Sequence, residues 1–187
     1  ALPICLNEDS FVSVDINSIG STDGISKSET TAGEAMGDFT WASTSPTSLA
    51  VANGVAYVTD SDSDQLYAIN VSTPLQPEII RIYTTADEGF ENFDRVWGGS
   101  VATDSLLILP VSDSNVVKIF DTTDPANLQL VSELVHGENG YTGLNAPHWA
   151  VVQGNTLAIN GRGSKVITLV DISKPDDPFL LEEIDIT

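Results

Sequence analysis

The chain has 187 residues, 41% of them hydrophobic, enough for a packed core and too many for a chain that stays disordered throughout. Seven Lys and Arg against 27 Asp and Glu give a net charge of −20, a field that repels nucleic acid and anionic membrane surfaces and favours cations and basic partners. The single cysteine, Cys5, excludes an internal disulfide and a cysteine-built zinc cluster, and no apolar run is long enough to span a bilayer.

Residues 1–20 hold one alternating apolar run, Phe11 to Ile16, which predicts a strand. The chain opens on Ala1 with no charged-then-apolar leader, as expected of a mature, processed protein. Residues 21–45 are rich in Ser, Thr and Gly and predict a long loop. From there the pattern is regular. Ser48–Ala52 is a short apolar strand, and Asn53-Gly54 is a two-residue hairpin signal, since both positions of such a turn take positive φ. Val55–Asp60 and Gln65–Asn70 are the next strands. After a proline-containing turn at Thr73–Pro77, Glu78–Tyr83 is the fourth.

The same order recurs twice. Leu106–Val111, Val116–Phe120, a turn at Pro125 and Leu128–Leu134 form the second copy. His148–Val152, Thr156–Asn160, Lys165–Val170, a turn at Pro175 and Phe179–Ile184 form the third. Pro74, Pro125 and Pro175 mark a period of about fifty residues, and four short strands at such a period are the signature of β-propeller blades. The predicted fold is all-β. It is a propeller or partial propeller of about three full four-stranded blades (46–83, 97–134 and 147–187) plus a partial amino-terminal blade. A blade buries its faces only against its neighbours, so the apolar run Val166–Val170 predicts a third strand covered on both sides.

Each third strand runs into an Asp or Asn, then a Ser or Thr, then proline: Asn70-Val71-Ser72-Thr73-Pro74, Asp121 to Pro125 and Asp171 to Pro175. This pattern, with a glycine turn and a strand such as Val55–Val58 before it, resembles the LVIVD-repeat propellers and, more loosely, YVTN-type surface propellers. The resemblance implies an extracytoplasmic protein, secreted, periplasmic or on the cell surface, and carries no shared activity. Three and a half blades fall short of a ring. The expectation is therefore a protein partner or second copy that completes it, or closure of the first segment on the last blade.

Candidate sites concentrate on the long connections between repeats, because rigid scaffolds present ligand sites on loops. There or beside them stand Trp41, Asp94, Arg95, Trp97, Tyr141, Asn145, His148 and Trp149, the expected ligand-binding group; packing of the tryptophans between blades is the plainer alternative. Asp60, Asp62 and Asp64 have the spacing of the first ligands of a calcium loop, but Gln65 stands where glycine is usual and the other copies lack the pattern. Asp87 to Asp94 is a second acidic stretch for a cation. His136 and His148 form a thin case for copper. Asn70-Val71-Ser72 is a glycosylation sequon whose alignment with Asp121 and Asp171 favours a turn-capping role. No nucleophile elbow is present, and spacing alone does not support His148 as a base oriented by Asp94. The reading that follows is a non-enzymatic binding or interaction module. Calcium is the one cofactor with a motif behind it. A metal-binding surface protein and a propeller hydrolase or lactonase are the alternatives.

Overall fold

Alternation of apolar side chains and the positions of the turn residues decide where strands form, and the computed structural model follows them closely. It describes residues 2–6, 10–14, 28–31, 45–73 and 77–186. Three four-stranded antiparallel sheets follow one another along the chain. The first blade is β4 (Pro46–Ala52), β5 (Val55–Asp60), β6 (Gln65–Asn70) and β7 (Glu78–Tyr83). The second is β8 (Val101–Ala102), β9 (Leu106–Val111), β10 (Val116–Asp121) and β11 (Gln129–Val135). The third is β12 (Pro147–Gln153), β13 (Thr156–Gly161), β14 (Val166–Asp171) and β15 (Phe179–Asp185). Within each blade every strand pairs with the next in sequence, so the topology is a meander.

Ahead of the blades lies a three-stranded sheet, β1 (Leu2–Leu6), β2 (Ser10–Val14) and β3 (Ser28–Thr31). The sequence showed only β2. The stretch read as an uninterrupted loop contains β3, whose Glu29-Thr30-Thr31 pairs with Val12, Phe11 and Ser10; threonines favour the pleated backbone, and Ser/Thr content alone concealed it. Asp15, Trp41 and Pro74 lie outside the described residues.

Turn chemistry is as expected. Asn53 and Gly54 both take positive φ, 51° and 74°. Asn70, Asp121 and Asp171 each accept a backbone N–H two residues on, from Ser72, Thr123 and Ser173 at 2.7–3.0 Å, which satisfies the chain as it leaves the third strand. The Thr123 and Ser173 hydroxyls, then these N–H groups, hold the Asp121 and Asp171 carboxyls below the usual range.

The first strands of the blades lie side by side: β4 touches β8, and β12 touches both β8 and β9. The blades therefore stack in order, and the core lies between them. Between the first and second blades, Val55, Tyr57, Leu66, Ala68 and Tyr83 meet Leu107, Leu109, Val116 and Phe120. Between the second and third, Leu106, Ile108, Val117, Ile119 and Leu134 meet Leu157, Ile159 and Val170. The far face of the first blade, Ala56, Val58, Tyr67 and Ile69, is fully buried too, and β1 contacts β4 on that blade.

Connections between blades are part of this core. Phe90 stacks on Tyr83 at 4.8 Å and on Phe120 at 4.6 Å, with Phe93 edge-on at 5.3 Å. The acidic stretch 87–94 is thus a plug driven between two blades by its two phenylalanines. Asp87 is spent within the protein on Arg81 and on the amide and hydroxyl of Thr84.

Candidate functional site

Residues on a strand alternate between its two faces, and the registers let the three blades be superposed position by position. Tyr57, Leu66 and Ala68 of the first blade face the second. Ile108, Val117 and Ile119 of the second face the third. Their counterparts in the third blade are Ala158, Ile167 and Leu169, read from the pairs Asn70–Val55, Asp121–Leu106 and Asp171–Thr156. This face of the third blade has no neighbour among the described residues. Val151 and Ile184 on it are 63% and 41% exposed, and Leu181 beside them is 47% exposed. In the closed interfaces the same outer-strand position is Tyr83 or Leu134, at 2% and 1%. The reading of 166–170 as covered on both sides is corrected here: only the side bearing Thr168 and Val170 is sealed.

Closed interfaces also carry polar ties. The Tyr83 hydroxyl donates to the Pro125 carbonyl at 2.9 Å and accepts the Leu128 N–H at 2.9 Å. Arg81 donates to the Ala126 carbonyl at 3.0 Å, and Ser132 Oγ to the Pro175 carbonyl at 2.7 Å. The proline turn of each following blade is therefore a dock whose carbonyls receive donors from the outer strand of the blade before it. Arg81 pairs with Ala68 and Ser132 with Ile119; the third-blade equivalent, paired with Leu169, is Glu182.

The second candidate surface is the end where the interblade loops meet the β5–β6, β9–β10 and β13–β14 turns. Arg95 has φ 54°, and its N–H reaches Asp64 Oδ1 at 3.2 Å. Its guanidinium lies 5.5 Å from the Trp97 ring centroid and 3.8 Å from Asp113. Asp94 accepts from the Ser114 hydroxyl at 3.0 Å. Asp62, Asp64, Asp94, Arg95 and Asp113 line one shallow cleft. Farther round, Trp149 covers Gly99 so closely that a Cβ there would lie 2.3 Å from the indole, and Gly98 is pressed against the His148 carbonyl. His148 stands 5.8 Å from the Trp149 ring. Burial, then the charge of Arg162, lowers its pKa and favours neutral imidazole.

The predicted site residues thus divide. Arg95, Trp97, His148 and Trp149 do come to this end, with Trp97 and Trp149 well exposed. Asp94 and Asn145 are held by neighbouring turns; the Asn145 carbonyl accepts the Gly163 N–H at 2.9 Å. Tyr141 does not belong to the surface. It is buried in the core between the second and third blades, its hydroxyl donating to the Pro178 carbonyl at 3.3 Å.

The calcium spacing resolves into a turn. Asp60 is buried, and its Oδ1 accepts the N–H groups of Asp62 and Ser63 at 2.9 and 3.0 Å, while its Oδ2 has no partner. By strand alternation it shares the side of Ala56 and Val58, away from the cleft that Asp62 and Asp64 line. His136 follows β11, with its N–H on the Asn115 carbonyl and its Nδ1 buried without a partner. Among the described residues no three His, Cys, Asp or Glu side chains gather closely enough to hold a metal ion, and no helix is long and apolar enough to cross a membrane.

The sequence reading expected an incomplete ring but did not say which blade face stays open. Its signal was present: the outer-strand position that is Arg81 and Ser132 becomes Glu182 in the third copy.

Comparison with known proteins adds the fold. No family model matches the chain, and no curated protein matches it. Solved β-propellers do. A Lactobacillus plantarum protein superposes with a TM-score of 0.63 at 11% identity, over 95% of this chain and 49% of its own. The Cps50 (Swd1) β-propeller domain of Myceliophteria thermophila gives 0.58 at 11% identity, over 96% and 57%. The periplasmic gluconolactonase of Pseudomonas aeruginosa gives 0.54 at 15% identity, over 71% and 37%. The chain has the β-propeller architecture and spans about half the length of the first of these propellers.

Proposed function

We propose that this protein is a non-enzymatic interaction module of the LVIVD-repeat, YVTN-like kind, working outside the cytoplasm, whose propeller arc is completed by another chain or segment. The observation that carries the reading is the apolar face of the third blade, where Val151, Leu181 and Ile184 stand exposed, the position of Ile184 being taken in the other blades by the sealed Tyr83 and Leu134. Soluble proteins rarely leave a contiguous apolar sheet face to water unless it is a contact surface. The coverage of about half a propeller supports the same view. The acidic balance and the proline-turn repeats support an extracytoplasmic setting.

A photocrosslinking side chain placed at Leu181 tests this in the native host. The expected result is a covalent adduct with a β-sheet polypeptide, lost when Ile184→Asp is added. Crosslinks spread at random over abundant proteins, or none above those from a control site at Asp104, would overturn it.

A further inference from the structure

A hollow in the second blade stands where the third blade is filled. In the third, the incoming loop lays Gly143 across the start of β14, where a Cβ would lie 2.6 Å from Val166 Cγ1 and 2.9 Å from Glu183 Oε1. Glu183 accepts the Gly143 N–H at 2.6 Å, the Thr142 hydroxyl, and the Thr168 hydroxyl at 3.5 Å. The registers make Val116, Lys118 and Glu133 the second-blade counterparts of Val166, Thr168 and Glu183. The loop hydrogen bonds match too: the Ser112 and Asp113 N–H groups donate to Arg95 and Asp94 as those of Arg162 and Gly163 donate to Ala146 and Asn145. Counting back three residues from Arg95 and Ala146, the residue in the place of Gly143 is Asn92. A side chain has no room in so close a seat. A slot of about 310 Å³ remains, lined by Asn92, Ser114, Val116, Lys118, Glu133 and Val135.

One side chain in this slot is deeply buried. Lys118 is 2% exposed and forms an ion pair with Glu133. A lysine carries three donors, and Glu133 is its one acceptor among the described residues. Glu133 in turn lacks the loop N–H and hydroxyl that Glu183 receives. We propose that this slot binds a small neutral ligand with vicinal hydroxyls, a single sugar ring or a cyclitol. Two neighbouring O–H groups give Glu133 the pair of donors that Thr142 and Gly143 give Glu183, and a hydroxyl oxygen accepts from Lys118. Neutrality follows from the ion pair, since a ligand that split it would leave a buried charge uncompensated. Val116 and Val135 offer an apolar wall to the C–H face of a ring, and the volume is at the small end for ligand pockets. The slot is built by the second blade and the loop entering it, so the inference is independent of what covers the third blade.

Saturation-transfer NMR and calorimetry on the full chain test this. The probes are myo-inositol and the methyl glycosides of glucose, galactose and mannose, with cyclohexanol as the single-hydroxyl control. Saturable binding of at least one polyol, at least about tenfold tighter than cyclohexanol, is expected. Val135→Phe fills the slot and leaves the ion pair in place, while Glu133→Gln removes the carboxylate. Each should weaken polyol binding about tenfold or more, with the fold checked by circular dichroism. Should Glu133→Gln not fold, Val135→Phe alone decides. No saturable binding by any polyol, cyclohexanol binding equally well, or polyol binding unchanged in either folded variant would each overturn the proposal. Tighter binding of zwitterionic glycine would overturn the neutral ligand. None of these results bears on the crosslink expected at Leu181, so the two readings fail separately.

Discussion

The interface between the first and second blades and the outward face of the third are built from equivalent positions with opposite fates. Tyr57, Leu66, Ala68 and Tyr83 are sealed beneath a neighbour. Ala158, Ile167, Leu169 and Ile184 are not. The strands are equally regular in both, because ladder hydrogen bonds and turn chemistry belong to the single blade. Burial belongs to the pair. The difference shows that a blade's fold is local while its stability is shared, so the same substitution should cost very different amounts at the two faces.

The largest contrast is expected at the plug. Phe90 is fully buried between Tyr83 and Phe120, and Phe90→Ala removes a large core side chain at a cost of about 3–5 kcal/mol. Urea unfolding checks this; a loss under about 1 kcal/mol would mean that the two blades close without the plug. Next comes the Tyr83 hydroxyl. Tyr83→Phe leaves the buried Leu128 N–H without its acceptor, so a loss of about 1–3 kcal/mol is expected.

Alkaline titration sharpens the comparison by another route. All four tyrosines, Tyr57, Tyr67, Tyr83 and Tyr141, are buried in the first two blades or their linkers, and the third blade has none. Burial raises the pKa of each. For Tyr57 burial is the main cause, offset in part by Thr122, and the value is pushed up to about 12. The unfolded chain releases that proton near pH 10 while the folded chain still holds it. The stabilisation is therefore whole below pH 10 and is lost as pH rises towards about 12. Tyr57→Phe should flatten this alkaline limb, and tyrosinate absorbance at constant fold would show ordinary ionisation if burial were not the cause.

The acid limb works in the opposite sense on a smaller scale. The Thr84 N–H, against the desolvation of the group and with further help from Arg81, holds the Asp87 carboxyl below its usual value. Its contribution is complete above the unfolded carboxylate pKa and fades as pH falls through the lower folded value. Asp87→Asn should therefore lose a fraction of a kcal/mol to about 1 kcal/mol at neutral pH, its side chain being partly exposed, and show a shallower acid slope.

Much of this was legible in the chain. The strands Val55–Asp60, Gln65–Asn70 and Leu106–Val111 coincide with their sequence-predicted ranges, because alternation, Asn-Gly and the proline turns act within a few residues of one another. Faces were not legible in the same way. Val166–Val170 reads as apolar as Gln65–Asn70, and periodicity cannot say whether a neighbour covers it. Nor could it place Tyr141 in the core rather than among the surface loops, since a loop residue declares its burial only through what it packs on. The same limit applied to Asp60, where spacing suggested convergence and strand alternation turned the side chain the other way.

The smallest expected effect bears most directly on the open face. Ile184→Ser and Leu134→Ser make the same chemical change at equivalent outer-strand positions. Leu134 is 1% exposed and its loss should cost roughly 3–5 kcal/mol, combining lost burial with a hydroxyl left in the core. Ile184 is 41% exposed, so in the isolated chain its replacement should shift stability by no more than about 1 kcal/mol. Stability alone thus gives no reason for isoleucine at 184; the residue matters only if something else covers it. Adding a partner that seals the face should restore the cost, separating Ile184→Ser from wild type by about the 1.5–3 kcal/mol of a fully buried aliphatic side chain. A large loss in the isolated chain instead would mean that Ile184 is already packed and that the third blade is closed like the others.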